Sequence, residues 1–245
     1  MGGREANVVL LDENGIRSDG RKVNETRKVT IKAGVLKNAG GSAYIEFGGN
    51  KILAGVFGPR DVHPKHMSNP DTGILRVRYH MEPFSVDERK KPAPSRREIE
   101  ISKVITEALE PAVMLEKFPR TALDVYLEVL QADGGTRCAA LDAASVAIAD
   151  AGIPMRDLVC ACAAGKAADT IILDVNNEED QAGQADMPIG YMPSLGKITL
   201  LQLDGVLTAD EYKKCIELGL EGCKQVYEIQ KNALREKYFS SGDKD

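Results

Sequence analysis

A glycine-containing turn between a strand and a helix is the feature that most constrains how this chain can fold. A strand-like run ends at Gln131, Gly134 and Gly135 follow, and Thr136 and Arg137 open a helix rich in small residues. A helix N-terminus presents unpaired backbone N–H groups and the positive end of the helix dipole. Glycine lets the backbone approach a ligand closely, and arginine offers a planar set of donors to an oxyanion. Gly135, Thr136 and Arg137 therefore predict a phosphate-binding site.

Several functional classes are excluded by local pattern and composition. The turn lacks the lysine and the longer spacing of a nucleotide P-loop, so we do not expect hydrolysis of nucleoside triphosphates. No apolar run is long enough to span a bilayer, and residues 1–7 lack the apolar core of a signal peptide. These features predict a cytoplasmic protein without a membrane partner. The odd number of cysteines, five, argues against a disulfide framework and predicts buried free thiols.

Charge is distributed unevenly along the chain. The net charge of −5 does not suggest a general nucleic-acid binder, which would usually be basic. Between Arg60 and Lys103, however, ten Lys and Arg residues outnumber seven Asp and Glu residues, whereas Asp174 to Asp186 holds five acids and no base. A cationic segment and an anionic cluster in one chain fit a polyanion and a divalent metal as ligands. Ordinary solvated surface is the alternative for any single charge.

Hydrophobic periodicity predicts an α/β (α+β) fold. Alternating apolar residues favour short strands in the first third of the chain, including a hairpin around Gly48-Gly49-Asn50. Two capping boxes, Ser95 with Glu98 and Thr208 with Glu211, open helices. The order of strands, helix, strand and helix, followed by strands and helix again, predicts two βαβα-like layers of mixed sheet packed with helices. A long C-terminal helix completes the predicted fold.

Breaks in the pattern divide the chain into three predicted parts. The start is polar and irregular, and Gly152-Ile153-Pro154 predicts an interruption after the second helix. We therefore expect an N-terminal extension over 1–26 and a first domain over 27–151. A second domain over 152–245 would include the C-terminal helix and tail.

Two arginines lie in the first turn of a predicted helix, where cations are unfavourable. The helix dipole disfavours Arg96 and Arg97 there by ~0.3–1 kcal/mol each. Their presence at these positions indicates a bound anion that balances them. The alternative is that they pair with a nearby carboxylate such as Glu98 or Glu100.

Two carboxylates flank a short glycine-containing loop in the acidic segment. Asp180 ends the acidic stretch, and Asp186 begins a predicted strand. Such a pair can hold Mg²⁺, which prefers oxygen ligands, or one acid can protonate a leaving group. Solvated surface acids are the alternative for this motif alone. His63, Lys65 and His66 lie in a basic loop that has too few ligands for a zinc site. The loop could touch a backbone phosphate, and an ordinary surface loop is the alternative.

Taken together, these motifs resemble the RNase PH family and, within it, the catalytic ring subunits of the archaeal exosome. The resemblance covers nearly the whole chain, and many matches in the same order make chance a poor explanation. The matching segments are Arg17-Ser18-Asp19-Gly20-Arg21, Gly34-Val35-Leu36 with Gly41-Ser42-Ala43, Val56-Phe57-Gly58-Pro59, Pro94 to Glu100, Leu130 to Arg137, Asp150 to Pro154, and Asp180 with Ala185-Asp186-Met187-Pro188. One position departs from the family, because Ala182 stands between the acids where an aromatic residue is common.

The resemblance implies an RNase PH-type fold and phosphorolysis of RNA. Inorganic phosphate, the co-substrate, would attack the last phosphodiester at the 3′ end of single-stranded RNA and release a nucleoside diphosphate. The reverse reaction would add 3′ tails. By the same resemblance, Gly135, Thr136 and Arg137 hold the attacking phosphate, while Arg96 and Arg97 hold RNA backbone phosphates.

The resemblance also implies roles for the acids and an assembly. Asp180 and Asp186 correspond to the catalytic acids and to the residues thought to bind Mg²⁺. The loop with His63, Lys65 and His66 corresponds to a segment that grips entering RNA. The expected assembly is a hexameric ring, a trimer of heterodimers with a non-catalytic RNase PH-like subunit, which carries RNA-binding cap proteins.

Two alternatives remain open from the sequence. A bacterial-type RNase PH, a homomeric enzyme that trims tRNA 3′ ends, would carry the same glycine turn. A non-catalytic RNA-binding ring subunit would be expected to lack the paired aspartates or the arginine after the glycines. Both features are present in this chain.

Overall fold

The computed structural model describes residues 10–12 and 15–239, and within them ten strands and four α-helices form two sheets with packed helices. The strands are β1 (Val29–Ala33), β2 (Gly41–Phe47), β3 (Asn50–Asp61), β4 (Ile74–Met81), β5 (Thr121–Gln131), β6 (Cys160–Ala167), β7 (Thr170–Leu173), β8 (Ala185–Met192), β9 (Lys197–Leu201) and β10 (Asp204–Gly205). The helices are α1 (Arg96–Leu109), α2 (Thr136–Asp150), α3 (Asn177–Ala182) and α4 (Ala209–Phe239). The predicted fold class, with two sheets and a long C-terminal helix, is confirmed.

The first sheet has the strand order β1-β2-β3-β5-β4. β2 and β3 form the predicted hairpin, in which Phe47 lies opposite Asn50. β4 runs parallel to β5, because α1 carries the chain back along the sheet between them. The carboxyl ends of these two strands therefore lie at the same edge of the sheet, where Met81 is opposite Val129.

The second sheet pairs its described strands only in antiparallel fashion, so the first sheet alone is mixed. Short connections join β6 to β7 and β8 to β9, and such connections allow only antiparallel neighbours. β8 lies between β6 on one side and the short strands β9 and β10 on the other. This arrangement places Asp204 directly opposite Asp186.

Helix α2 lies between the two sheets and is buried on nearly all sides. It contacts β2, β3 and β5 in the first sheet and β6 and β8 in the second, and 13 of its 15 residues are buried. Its many alanines let both sheets approach closely. At Gly41, a Cβ atom would lie 2.1 Å from the backbone nitrogen of Ala151, so only glycine fits this crossing. One hydrophobic core consequently runs through both sheets and α2.

The remaining helices cover the edges of this core. α1 begins at the predicted capping box of Ser95 and Glu98 and packs against β4 and β9, while α4 packs against β6, β7, β8 and β1. All five cysteines are buried and free, as predicted. Among the helices that the structure describes, none has the length and apolar character needed to cross a membrane.

Candidate active site

The edge of the first sheet where β4 and β5 end meets α1, α2 and α3 at an open cavity. The cavity has a volume of about 830 Å³. Met81 and Gln131 line it from the strand ends, Arg97 from α1, Thr136 from α2 and Asp180 from α3. The fold thus brings residues from three of the predicted groups, the turn, the arginines and the acids, to one cavity.

The turn between β5 and α2 leaves the start of α2 open to a ligand. Gly134 and Gly135 adopt left-handed backbone conformations, with φ values of +67° and +69°. A Cβ atom on Gly134 would lie 2.4 Å from the backbone nitrogen of Asn177, so glycine also allows α3 to approach the turn. Gly135 is the N-cap of α2 and makes no side-chain cap. The first turn of α2 therefore has the N–H groups that an anion site requires.

A buried tyrosine orients Thr136 at the start of α2. The Tyr79 hydroxyl donates to Thr136 Oγ1 over 2.9 Å. Burial raises the pKa of Tyr79 to about 12, so this hydroxyl stays protonated and remains a donor. Because Thr136 Oγ1 accepts this bond, its own proton is left to donate to another acceptor. Tyr79 was missed from the sequence, where its position in an alternating strand indicates only a core residue.

Arg137 is paired at one end of its guanidinium group and has, at the other, a buried nitrogen without a partner in the described chain. Like Gly135, it is not among the described residues that line the larger cavity. Its Nη2 lies 3.0 Å from Glu100 Oε2, and Gln202 Nε2 donates to the other oxygen of Glu100 over 3.2 Å. Within the described residues, the buried Nε of Arg137 has no hydrogen-bond partner. A buried donor without a partner is unfavourable, and an anion that accepts from Arg137 would remove that penalty.

The two arginines at the start of α1 are exposed. Neither Arg96 nor Arg97 forms an ion pair with any carboxylate in the described part of the chain. Glu98 instead closes the capping box of α1, and Glu100 pairs with Arg137, so the alternative of local pairing is not found. Arg97 lines the cavity, whereas Arg96 is not among its lining residues.

Asp180, Asp186 and Asp204 bring three carboxylates to a smaller open cavity of about 150 Å³. Asp186 Oδ1 is buried and accepts no hydrogen bond from the residues that the structure describes. Burial raises the pKa of Asp186 to about 7, and the charges of Asp180 and Asp204 add to this rise. The positive charges of Arg137 and Arg97 act in the opposite direction, so these arginines are electrostatic neighbours of the acids.

The three acids form a donor set that suits a hard divalent cation. Like charges directly opposite each other in neighbouring strands are destabilising, yet Asp186 lies opposite Asp204. A buried carboxylate oxygen without a partner, beside two further carboxylates, fits Mg²⁺, which prefers oxygen ligands. Asp204 was missed from the sequence, because the acid–glycine pair Asp204-Gly205 signals no more than a turn. Only the pairing of β8 with β10 brings it to Asp186.

Arg17 supports the short helix that carries Asp180. Glu179 closes the capping box of α3 and forms a fully buried ion pair with Arg17. Arg17 Nε donates to Glu179 Oε1 over 2.6 Å, and its other nitrogens donate to the carbonyls of Leu173 and Asp174 over 2.5 and 2.7 Å. The position of α3 therefore depends on a residue near the start of the chain.

A second buried network ties the glycine turn to the segment before α3. Arg27 Nη2 lies 2.7 Å from Asp174 Oδ1, and Arg27 donates to the carbonyls of Asp133 and Gly134 over 2.5 and 3.3 Å. Arg21 Nη1 reaches the same Asp174 carboxylate over 3.1 Å. Arg17, Arg21 and Arg27 are therefore buried although they are charged, because they neutralise the buried acids Asp174 and Glu179.

The basic loop lies at the opposite end of the first sheet. The loop after β3 exposes His63, Lys65 and His66. The last residue of β3, Asp61, lies opposite Thr121 at the start of β5. The 11 residues of β5 separate this end from the cavity, which corresponds to roughly 35 Å of extended strand. The structure does not bring these three residues to the cavity, so any RNA contact that they make is remote from it.

Family models match most of the chain. Residues 25–154 match domain 1 of the 3′ exoribonuclease family, RNase PH, and residues 157–222 match its domain 2. The chain therefore belongs to the RNase PH family of 3′ exoribonucleases, and the resemblance in its motifs is confirmed.

Individual relatives within this family are exosome components. The chain is 81% identical to the exosome complex component Rrp41 of Nitrosopumilus maritimus over 241 residues, which covers 98% of this chain and 99% of the relative. It is 76% identical to Rrp41 of Cenarchaeum symbiosum over 243 residues, with 99% and 100% covered. Rrp41 of Thermococcus onnurineus is 61% identical over 239 residues, with 98% and 96% covered.

Solved structures have the same fold. Rice Rrp46 superposes with a TM-score of 0.79 at 26% identity and covers 89% of this chain and 100% of its own. The Archaeoglobus fulgidus exosome with RNA bound to the active site gives a TM-score of 0.76 at 23% identity, with 92% and 93% covered. This second likeness is one of fold.

Proposed function

We propose that this chain is the catalytic subunit of an exosome ring, which degrades single-stranded RNA from the 3′ end with inorganic phosphate. The observation that carries the proposal is a start of α2 that has no side-chain cap and is followed by Arg137. It lies beside two cavities that share Asp180, one lined by Arg97 and the other by Asp186 and Asp204. Relatives named as exosome components match this chain over nearly its whole length. Phosphoryl transfer requires positioning and charge neutralisation more than covalent help.

Inorganic phosphate would bind at the start of α2. Backbone N–H groups of the first turn, the free hydroxyl proton of Thr136 and the unpaired Nε of Arg137 provide donors for its oxygens. Glu100 pairs with Nη2 of Arg137, which orients the guanidinium group and leaves its Nε without a partner among the described residues. Gly135 permits the close approach of a phosphate to the backbone.

RNA would enter with its backbone phosphates near the start of α1. Two single negative charges ~5 Å apart repel by roughly 3 kcal/mol at an effective dielectric constant of about 20. Attack of phosphate on a phosphodiester therefore requires cationic groups of the protein beside both reactants. Arg97 at the cavity, with the exposed Arg96 beside it, supplies charge for the RNA, and Arg137 supplies it for the attacking phosphate.

The acids would act on the leaving group. An oxygen of inorganic phosphate forms a bond to the terminal phosphorus, the bond from that phosphorus to O3′ breaks, and O3′ takes a proton. Asp180 is exposed at the cavity and is the acid that we assign to this proton. Asp186 and Asp204, joined by Asp180 when it is ionised, would hold Mg²⁺, which would supply positive charge to the transferred group. The terminal nucleotide leaves as a diphosphate, and the reverse reaction adds nucleotides.

We further propose a hexameric ring built as a trimer of heterodimers. The second subunit would be a non-catalytic protein of the same family, and RNA-binding cap proteins would sit on one face. The relatives are named as components of a complex, and these names support an assembly of this kind. In such a ring, the remote basic loop with His63, Lys65 and His66 would contact RNA before its 3′ end reaches the cavity.

A single assay tests the reaction and the assembly together. Labelled oligo-A is incubated with the chain alone and with its partner subunit, each with and without phosphate. We expect adenosine diphosphate, dependent on phosphate and increased by the partner. Asp180→Asn should abolish release with RNA binding retained, while Glu178→Gln, the same change of charge on the exposed side of the same helix, should stay active.

Each other outcome points to a different function. Release of monophosphates without phosphate would contradict phosphorolysis. Full activity without a partner would instead indicate a homomeric enzyme of the bacterial type. RNA binding without any product, in the assembled ring, would indicate a non-catalytic subunit.

A further inference from the structure

A histidine and two glutamates converge on the first sheet, outside the candidate active site. His80 in β4 lies opposite Glu128 in the parallel strand β5. Glu82 follows two residues after His80, and its backbone N–H still pairs with the Val129 carbonyl over 3.0 Å. Because alternate strand residues point to the same face, all three side chains share one face. One possible ligand atom from each lies within 4.8 Å of the other two.

The cluster contains an orphaned oxygen and an excess of negative charge. Glu128 Oε2 is buried and accepts no hydrogen bond from the described residues. Burial raises the pKa of Glu128, and the charges of Glu82 and Glu98 add to this rise, whereas His80 and Arg78 act against it. A buried acceptor without a partner is unfavourable, so a cation between these carboxylates would be stabilising.

His80 has a fixed carboxylate beside one of its ring nitrogens, as metal-binding histidines commonly do. Its side chain is 11% exposed, and its Nδ1 lies 3.2 Å from Glu98 Oε1. Glu98 itself is fixed, because it accepts from the backbone N–H groups of Met81 and Ser95 over 2.8 and 2.6 Å. A carboxylate beside one ring nitrogen favours a proton on that nitrogen, which leaves the other nitrogen able to coordinate a metal ion.

We infer that His80, Glu82 and Glu128 bind a divalent transition-metal ion of the Zn²⁺ class. One imidazole nitrogen with two carboxylates suits Zn²⁺, whereas Mg²⁺ favours an all-oxygen set. Three protein ligands leave a coordination position for water. This site does not depend on the proposed exoribonuclease activity, because it shares no residue with the two cavities.

The site would connect a metal ion to one wall of the larger cavity. Glu82 lies two residues before the segment 84–88, which lines that cavity. An ion that ties Glu82 to Glu128 joins the start of this segment to β5. Metal binding should therefore increase the protection of residues 83–90 against hydrogen exchange.

Binding of Zn²⁺ to the full-length chain, freed of metal by chelation, tests the inference. Calorimetry gives the stoichiometry, and Co²⁺ gives a visible spectrum that reports nitrogen and oxygen ligands without thiolate charge transfer. We expect one Zn²⁺ site that a large excess of Mg²⁺ does not displace. Glu128→Gln and His80→Gln should weaken it by more than the ~10–100-fold that loss of an outer partner costs. Asp180→Asn, which alters only the candidate active site, should bind Zn²⁺ like the wild type.

A further variant separates weaker Zn²⁺ binding through loss of a ligand from weaker binding through unfolding. Glu82→Gln changes a partly exposed ligand and should weaken binding with the thermal midpoint retained. Absence of binding in the wild type would overturn the inference. Wild-type affinity in Glu128→Gln and His80→Gln would overturn it too, as would an equal loss in Asp180→Asn, since the ion would then sit at the acids of β8 and β10.

Discussion

Replacing Arg17 with methionine should destabilise the chain by about 3–5 kcal/mol, the range found when one partner of a buried ion pair is removed. The side chains of Arg17 and Glu179 are both 0% exposed. Glu179 Oε1 accepts only from Arg17 among the described residues, so the substitution leaves a buried carboxylate oxygen without a partner. The carbonyls of Leu173 and Asp174 lose a charged donor in the same step. For a chain of this size, the loss corresponds to a fall of roughly 6–20 °C in Tm.

Urea denaturation, thermal melting and hydrogen exchange measure the effect. Exchange should quicken first in α3, which Arg17 holds through Glu179, and phosphorolysis should fall because α3 carries Asp180. Arg156→Met is the matched control, since Arg156 pairs with Glu116 over 2.8 Å with side chains 40% and 51% exposed. Loss of such a surface pair costs at most ~1 kcal/mol.

The double variant Arg17→Met with Glu179→Gln separates the buried charge from lost packing. It should be more stable than Arg17→Met alone, because the second change removes the uncompensated carboxylate. A loss of stability in Arg17→Met no larger than that in Arg156→Met would contradict a buried charge left without a partner. Failure of Glu179→Gln to recover stability would contradict it too.

Three further predictions concern the site itself. Arg137→Ala should raise the phosphate concentration needed for half-maximal turnover, measured as initial rate against phosphate; unchanged phosphate dependence would argue against this binding site. Arg97→Ala should weaken RNA binding and reduce the slope of log affinity against log salt by ~0.7. Arg96→Ala should have a smaller effect, because Arg96 is not among the residues that line the cavity. Equal effects of the two variants would contradict the placement of Arg97 alone at the cavity. In metal-free protein, the pKa of Asp186 is raised, so between about pH 3.8 and about pH 7 the folded state keeps a proton that the unfolded state has lost. The contribution of Asp186 to the free energy of unfolding should therefore fall as the pH rises through this range and then level off. Urea unfolding with a chelator should show this slope in the wild type and lose it in Asp186→Asn, and identical profiles would exclude a perturbed Asp186.

Local sequence accounted well for individual elements and for part of the site. The capping box of Ser95 and Glu98 was predictable because its partners are three residues apart, and the hairpin around Gly48-Gly49-Asn50 because its turn sets the pairing. The glycine turn before Thr136 was predictable for the same reason. The three residues assigned to phosphate are adjacent in the chain, so no tertiary information was needed to group them.

The other relations in the site were decided by tertiary structure alone. Asp204 meets Asp186 only through the register of β8 and β10, and Arg17 meets Glu179, 162 positions further along the chain, only in the folded structure. Sequence likewise could not show that the loop with Lys65 lies a full strand length from the cavity. Local patterns are set by contacts within a few residues, and they determined where helices and strands begin and which residues bear charge. Which distant charges become neighbours depends on sheet register and on the packing of α2 between the sheets, and no local pattern encodes either.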